Sequence, residues 1–272
     1  PLILNTRIDF SMTAIDPYSI DGAIHNAQIK KKNVYLLSQM IDSNGVMKLS
    51  NSIRKIPGRI RFCFKNANII EESIIPFEKL FSEDLDFDAF IFINCQIHNF
   101  PKFCQAIGHC SSLSILSFTS CHFDDTHIES LISQLVNFKH LQTFDISKES
   151  IGPVMFANVC HALCANRELR SFGWSDTQLG DPGAFVDLVK SIPSLTHIDF
   201  SHAILSETWV KALSELLDYN WQLKELKITD TNPSLREKLE RNQNRNELLK
   251  KGPSSRMIRY SIADNDEIFD EF

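Results

Sequence analysis

The residues of this sequence best suited to chemistry are its seven cysteines and a histidine–aspartate–histidine run, His197, Asp199 and His202. Two histidines beside a carboxylate could move protons. They fall on a strand surface open to water, however, and an open surface excludes water poorly, so they read as ordinary surface residues. Cys104 with Cys110, and Cys160 with Cys164, lack the C-x-x-C spacing that closes a zinc or redox site, and His161 points to another part of its helix. The nine glycines are scattered, with no G-x-x-x-x-G-K loop to cradle a phosphate and no nucleophile elbow. No catalytic residue, metal site, cofactor or small-molecule substrate is therefore expected. An odd number of cysteines without framework spacing points to free buried thiols and a reducing, cytoplasmic compartment.

The elements that carry these residues recur. A nine-residue phrase of apolar, two variable, apolar, one variable, apolar, two variable and a small or polar residue is plainest at Leu113, Leu116, Phe118 and Cys121. It returns at Leu141, Phe144, Ile146; at Leu169, Phe172, Trp174; at Leu195, Ile198, Phe200; and at Leu223, Leu226, Ile228. Upstream the frame gives Phe87, Phe90, Phe92 and Cys95, then Arg59 with Phe62 and Phe64, Lys31 with Val34 and Leu36, and Asn5 with Ile8 and Phe10. The nine starts lie 26 or 28 residues apart. Alternation inside the phrase predicts a strand, and the spacing that follows predicts helices, as at Val46, Leu49, Ile53; Ile128, Leu131, Leu135; Phe156, Val159, Leu163; Phe185, Leu188, Ile192; and Trp209, Leu213, Leu217.

Period and phrase resemble leucine-rich repeats. The expected fold is α/β, a leucine-rich-repeat horseshoe (solenoid) with a parallel concave sheet and convex helices, because strands joined by helices pair in parallel. Residues 1–231 are read as one array of about nine units, 232–251 as a C-terminal capping helix with Asn232 before Pro233 at its start, and 252–272 as an acidic tail. Cys95 and Cys121 take the phrase position that meets backbone groups in the turn after the strand. With Pro1 first and a phrase already at Asn5, the sequence is expected to be a fragment, with no leader and no N-terminal cap inside it.

Variable phrase positions point away from the core, onto the face where this architecture usually binds. In units two to five the expected outward residues include Tyr35, Leu37, Ile60, Ile91, Ile93 and Ile115, an apolar patch. In units six to nine they include Lys148, Arg170, His197, His202 and Glu225, with Asp145, Asp176, Asp199 and Asp230 roughly in line. An exposed apolar cluster of this kind marks a protein interface. Two other readings stay open: cover by another part of the chain, and a slip in the assumed register.

Of the net charge of -6, five negative charges sit in the last nine residues, at Asp264, Asp266, Glu267, Asp270 and Glu271. The remaining body is nearly neutral and has no basic stripe, which argues against nucleic acid as the partner. No apolar run is long enough to span a membrane. The tail, with Ile268, Phe269 and Phe272 among its acids, reads either as disordered or as a peptide that docks on a basic groove or on the closing helix. Arg236, Lys238, Arg241 and Arg245 are expected to solvate that helix.

The segment from Cys164 to Val189, CANRELRSFGWSDTQLGDPGAFVDLV, is similar to the ribonuclease-inhibitor-like class of leucine-rich repeats. The Asn220, Leu223, Leu226 cadence followed by Asn232, Pro233, Leu235, Leu239 resembles actin-regulatory members of the CARMIL and tropomodulin kind. The resemblance implies a non-enzymatic scaffold that binds one or more protein partners, and suggests a cytoskeletal or ciliary assembly as one setting. One group of the class activates a small GTPase through an arginine near its first repeats and ends in an acidic region. Carried over to this chain, that implies Arg7 or Arg61 for such a regulator.

Overall fold

The computed structural model describes residues 19–220, 222–229 and 233–250, with the side chains of 246–250 aside. Asn5, Arg7, Trp221, Asp230, Asn232 and the tail from 252 lie outside the described residues. The chain divides into two compact units, to Leu141 and from Gln142.

The first unit alternates helices α1 (Ile20–Lys30), α2 (Ser43–Ile53), α3 (Ile74–Phe81), α4 (Phe100–Ile107) and α5 (Asp125–Leu135) with strands β1 (Val34–Ile41), β2 (Ile60–Ile69), β3 (Phe87–Ile93), β4 (Gln96–Ile97) and β5 (Ile115–Thr119). Its strands pair in parallel in the order β1-β2-β3-β5, with β4 on β2. The second unit repeats the scheme with β6 (Thr143–Ser147), α6 (Pro153–Leu163), β7 (Ser171–Gly173), α7 (Pro182–Ser191), β8 (His197–Phe200), α8 (Glu207–Tyr219), β9 (Glu225–Ile228) and α9 (Pro233–Lys250). Its strands β6, β7, β8 and β9 are again parallel neighbours. Every helix core expected from the spacing is buried: Val46, Leu49 and Ile53; Ile128, Leu131 and Leu135; Phe156, Val159 and Leu163; Phe185, Leu188 and Ile192; Trp209, Leu213 and Leu217.

Why each element starts and stops is local chemistry. Asp42 accepts from the Gly45 amide at 2.7 Å and caps α2, Asp181 caps α7 and Ser206 caps α8, each satisfying an orphan N–H. A left-handed residue recurs with the repeat, inside β2 at Asn66 and beyond the strand ends at Asn94, Ser120, Lys148, Asp176 and His202, spaced 28, 26, 28, 28 and 26 residues apart. The next residue turns inward, as Ala67, Cys95, Cys121, Glu149, Thr177 and Ala203, all buried. The Cys95 thiol meets the Ile93 carbonyl at 3.4 Å, and Cys121 meets those of Phe92 and Thr119. These two thiols thus do what the phrase position requires. None of the seven cysteines is in a disulfide.

Inward phrase positions build an aromatic spine. In the first unit Phe64, Phe92 and Phe118 stack face to face at 4.9 and 4.8 Å between ring centres. In the second, Phe144 stacks on Phe172 at 6.4 Å, and Trp209 packs with Phe156, Phe185 and Phe200. Trp174 and Trp209 lie in the core, their indole N–H groups donating to the Gln178 and Gly180 carbonyls. The closing helix α9 is anchored by Leu235 and by buried Asn242, whose amide donates to the Leu217 carbonyl at 2.8 Å. Its cations are not all solvated: Lys238 and Arg241 both pair with Asp218.

The structure corrects the register at two places. Counting back 28 residues from Phe62 and Phe64 lands on Val34 and Leu36. The residues paired with that core row are instead Tyr35 and Leu37, 27 residues back, and both are fully buried. The ladder shifts between Leu37 and Gln39, which has φ 81, and Ile41 returns to a 28-residue offset from Ile69. A tyrosine is tolerated inside because its hydroxyl donates to the Asn33 side chain at 2.9 Å and lies 3.3 Å from Ser52 Oγ. Ile60 is the second correction. It pairs with Phe87, whereas Arg61 pairs with Ala89, so β3 carries one extra residue, Asp88, and Ile60 is buried.

Candidate functional site

With the register fixed, the outward face of the first unit is a grid of lateral rows. One row runs Val34, Arg61, Ala89, Ile115; the next Leu36, Cys63, Ile91, Ser117; the third Lys65, Ile93, Thr119. Leu36, Ile91, Ile93 and Ile115 are half-buried, and Val34 is 37% exposed. Ile91, Ile93 and Ile115 therefore sit together where the sequence placed them. Tyr35, Leu37 and Ile60 do not belong to this face, and Val34 and Leu36 take the places of the first two. The face stays apolar because β1 is apolar at successive positions.

Charge on this face is confined to β2. Asp88, 2% exposed at its side chain, accepts from Arg61 Nε at 2.5 Å, from Ser114 Oγ at 2.6 Å and from Arg59 Nη1 at 3.3 Å. Arg59 also lies 3.4 Å from Asp86. Arg61, one of the two arginines implied for a GTPase regulator, is therefore already engaged through its Nε. Lys65 is exposed and forms no ion pair among the described residues. Between the two cations, burial pushes the Cys63 thiol up to about 11, with Cys95 adding to that and Lys65 opposing it.

The second unit presents a different face. Its rows run Thr143, Ser171, His197, Glu225, then Asp145, Gly173, Asp199, Lys227. Asp145 leans across Gly173, where a Cβ would lie 2.0 Å from its Oδ1. It accepts from Ser147 Oγ at 2.7 Å. Asp199 accepts from the Ser201 amide at 3.0 Å and lies 3.5 Å from Lys227 Nζ, which also reaches Glu225 at 3.5 Å. Burial raises the Asp199 carboxyl, but the Ser201 and Lys227 bonds outweigh it and hold the group below its usual range. Asp145 and Asp199 thus share a row, two strands apart. Asp176 is not in that row but in the exposed left-handed turn beyond β7.

Ser147, Ser175 and Ser201 form a polar ladder past the strand ends. The Ser175 amide donates to Ser147 Oγ at 3.2 Å, and Ser175 Oγ donates to the Ser201 carbonyl at 2.9 Å. Sequence reasoning missed this ladder, although its 28- and 26-residue spacing follows the repeat. It also missed the Arg61–Asp88–Ser114 cluster. His197 Nδ1 bonds the neighbouring Thr196 hydroxyl at 2.8 Å, and no hydrogen bond joins His197 or His202 to Asp199 among the described residues. The three do not make a proton-relay geometry. No group of three or more His, Cys, Asp or Glu residues is arranged to hold a metal ion among the described residues. No described helix is long and apolar enough to cross a membrane.

The period, the parallel strand–helix unit and the thiols beneath the turns give a fold of the leucine-rich-repeat type, ribonuclease-inhibitor-like in having a helix in each unit. No protein-family model matches the sequence, and no curated protein matches it. Solved structures do match at low identity. An internalin, InlF of Listeria monocytogenes, is 14% identical over 76% of this chain and 57% of its own, less than two thirds of its length, at a TM-score of 0.48. Internalin C2 of the same organism is 15% identical over 79% and 92%, at 0.45. The tropomodulin C-terminal domain of Caenorhabditis elegans is 12% identical over 66% and 99%, at 0.39.

Proposed function

We propose that this chain is a non-enzymatic interaction module that holds a protein partner against the outward sheet face of its first unit. The observation that carries this reading is the three-row grid in which Ile91, Ile93 and Ile115 form an apolar surface on the neighbouring strands β3 and β5, with Val34 and Leu36 of β1 on the far side of β2. Strand amides are already paired beneath it, so the surface offers area and shape rather than free backbone. A rigid, preformed apolar surface of this kind limits the ordering cost of association. The outward face of the second unit, taken by itself, is polar, with Asp145 and Asp199 in one row.

Partner capture from the native source by the wild-type chain and by the Ile91→Asp, Ile93→Asp double variant tests the reading. The expected result is loss of the captured partner while the melting midpoint falls by only a few degrees. Capture that survives the double substitution overturns it.

A further inference from the structure

We infer that the outward face of the first unit selects a segment combining apolar side chains with carboxylates, and that Lys65 is the residue that selects the charge. The inference rests on the reading that this face holds a protein partner, and it names that partner's chemistry. Of the grid positions only Arg61 and Lys65 carry charge. Both stand on β2, on either side of Cys63, and no grid position is a carboxylate. The buried carboxylate that adjoins the grid, Asp88, is already bonded by Arg59, Arg61 and Ser114.

The charges of Arg59 and Arg61 are therefore matched within the molecule by Asp86 and Asp88. The Lys65 charge is not matched among the described residues. It adjoins Ile93 laterally and stands two residues from Cys63 on the same strand, at the centre of the grid. When a partner covers the surrounding isoleucines, water leaves the neighbourhood of this ammonium and its interactions strengthen. A carboxylate brought there is then favoured, and a second cation is penalised. Apolar contact supplies most of the affinity without direction, while the single uncompensated cation discriminates between partners. The second unit's face, with Asp145, Asp199 and Glu225 against Lys227, repels the same segment.

The test uses the full chain and three labelled nine-residue peptides that share one frame of Ile and Phe at alternate positions, with Glu, Gln or Lys between. Anisotropy titration is expected to rank Glu over Gln over Lys, with about tenfold between the extremes, and the ranking should collapse at high salt. Lys65→Glu should reverse the order, and Ile91→Asp with Ile93→Asp should abolish binding of all three. Equal binding of the three peptides, or a ranking untouched by Lys65→Glu, overturns the charge inference while leaving the apolar docking face standing. Undiminished binding to the isoleucine double variant overturns the docking face itself. Absence of saturable binding by the Glu peptide to the wild-type chain overturns the inference.

Discussion

The outward faces of the two units are built on the same phrase and come out chemically opposed. In the first, the rows read Val34, Arg61, Ala89, Ile115 and Leu36, Cys63, Ile91, Ser117; in the second, Thr143, Ser171, His197, Glu225 and Asp145, Gly173, Asp199, Lys227. Underneath, the inward rows are alike, with stacked phenylalanines in both units. A repeat fold separates the two demands: residues that pack on neighbouring units are held to one pattern, and residues between them are free to diverge. The contrast therefore lies outside the packing that holds each unit together.

The largest effect expected comes from the spine. Phe92→Ala should cost about 3–5 kcal/mol in urea unfolding, because it removes a fully buried ring from the Phe64–Phe92–Phe118 stack. The adjacent Ile91→Asp, on the opposite face, should cost no more than about 1 kcal/mol. A similar loss for both would erase the distinction between inward and outward positions. Gly173→Ala comes next. Its methyl group would collide with the Asp145 carboxylate and break the bond from Ser147, for about 1–2 kcal/mol. An Asp145→Ala background should relieve that penalty, and a penalty that persists would place the constraint in the backbone.

Acid should weaken the fold. Asp199 and Asp218 are both held below the usual carboxylate range, Asp218 because the Lys238 and Arg241 bonds outweigh its slight burial. A depressed carboxyl gives stability that is fully present above its unfolded value, about 4, and is lost as pH falls through the folded value. Unfolding midpoints followed downward from neutral pH should therefore decline below about pH 4, and Asp199→Asn should remove part of that decline. A variant with the full wild-type slope would show that Asp199 contributes nothing to it. The smallest effect is at Lys65. Lys65→Glu should leave stability within about 0.5 kcal/mol, since the lysine is exposed and in no ion pair among the described residues. A larger loss would give it a structural duty and weaken its assignment to the partner.

The spine was legible in the sequence because buried positions recur with a fixed offset. Leu113, Leu116 and Phe118 stand for the whole set, and every helix core read from spacing is buried. What a fixed offset could not show were single-residue irregularities. The ladder shift between Leu37 and Gln39 moved Tyr35 and Leu37 into the core, and the extra residue at Asp88 did the same for Ile60. Such shifts depend on backbone geometry at one residue, and no periodicity announces them. On the site, Ile91, Ile93 and Ile115 were legible because β3 and β5 keep the register. The Asp88 cluster was not, because Asp88 is the extra residue that the irregularity leaves between Phe87 and Ala89, a position the period does not give. Asp145 and Asp199 could be read as outward, but the role of Gly173 between them needed the lateral pairing.

Hydroxyl-radical footprinting of the chain with and without its captured partner addresses the central claim most directly. Oxidation of Leu36, Ile91, Ile93 and Ile115 should fall sharply on binding while exposed apolar residues on the helices, such as Ile75 at 75% exposure, react as before. Unchanged oxidation at the four sheet residues, with protection on the helices instead, would contradict the account.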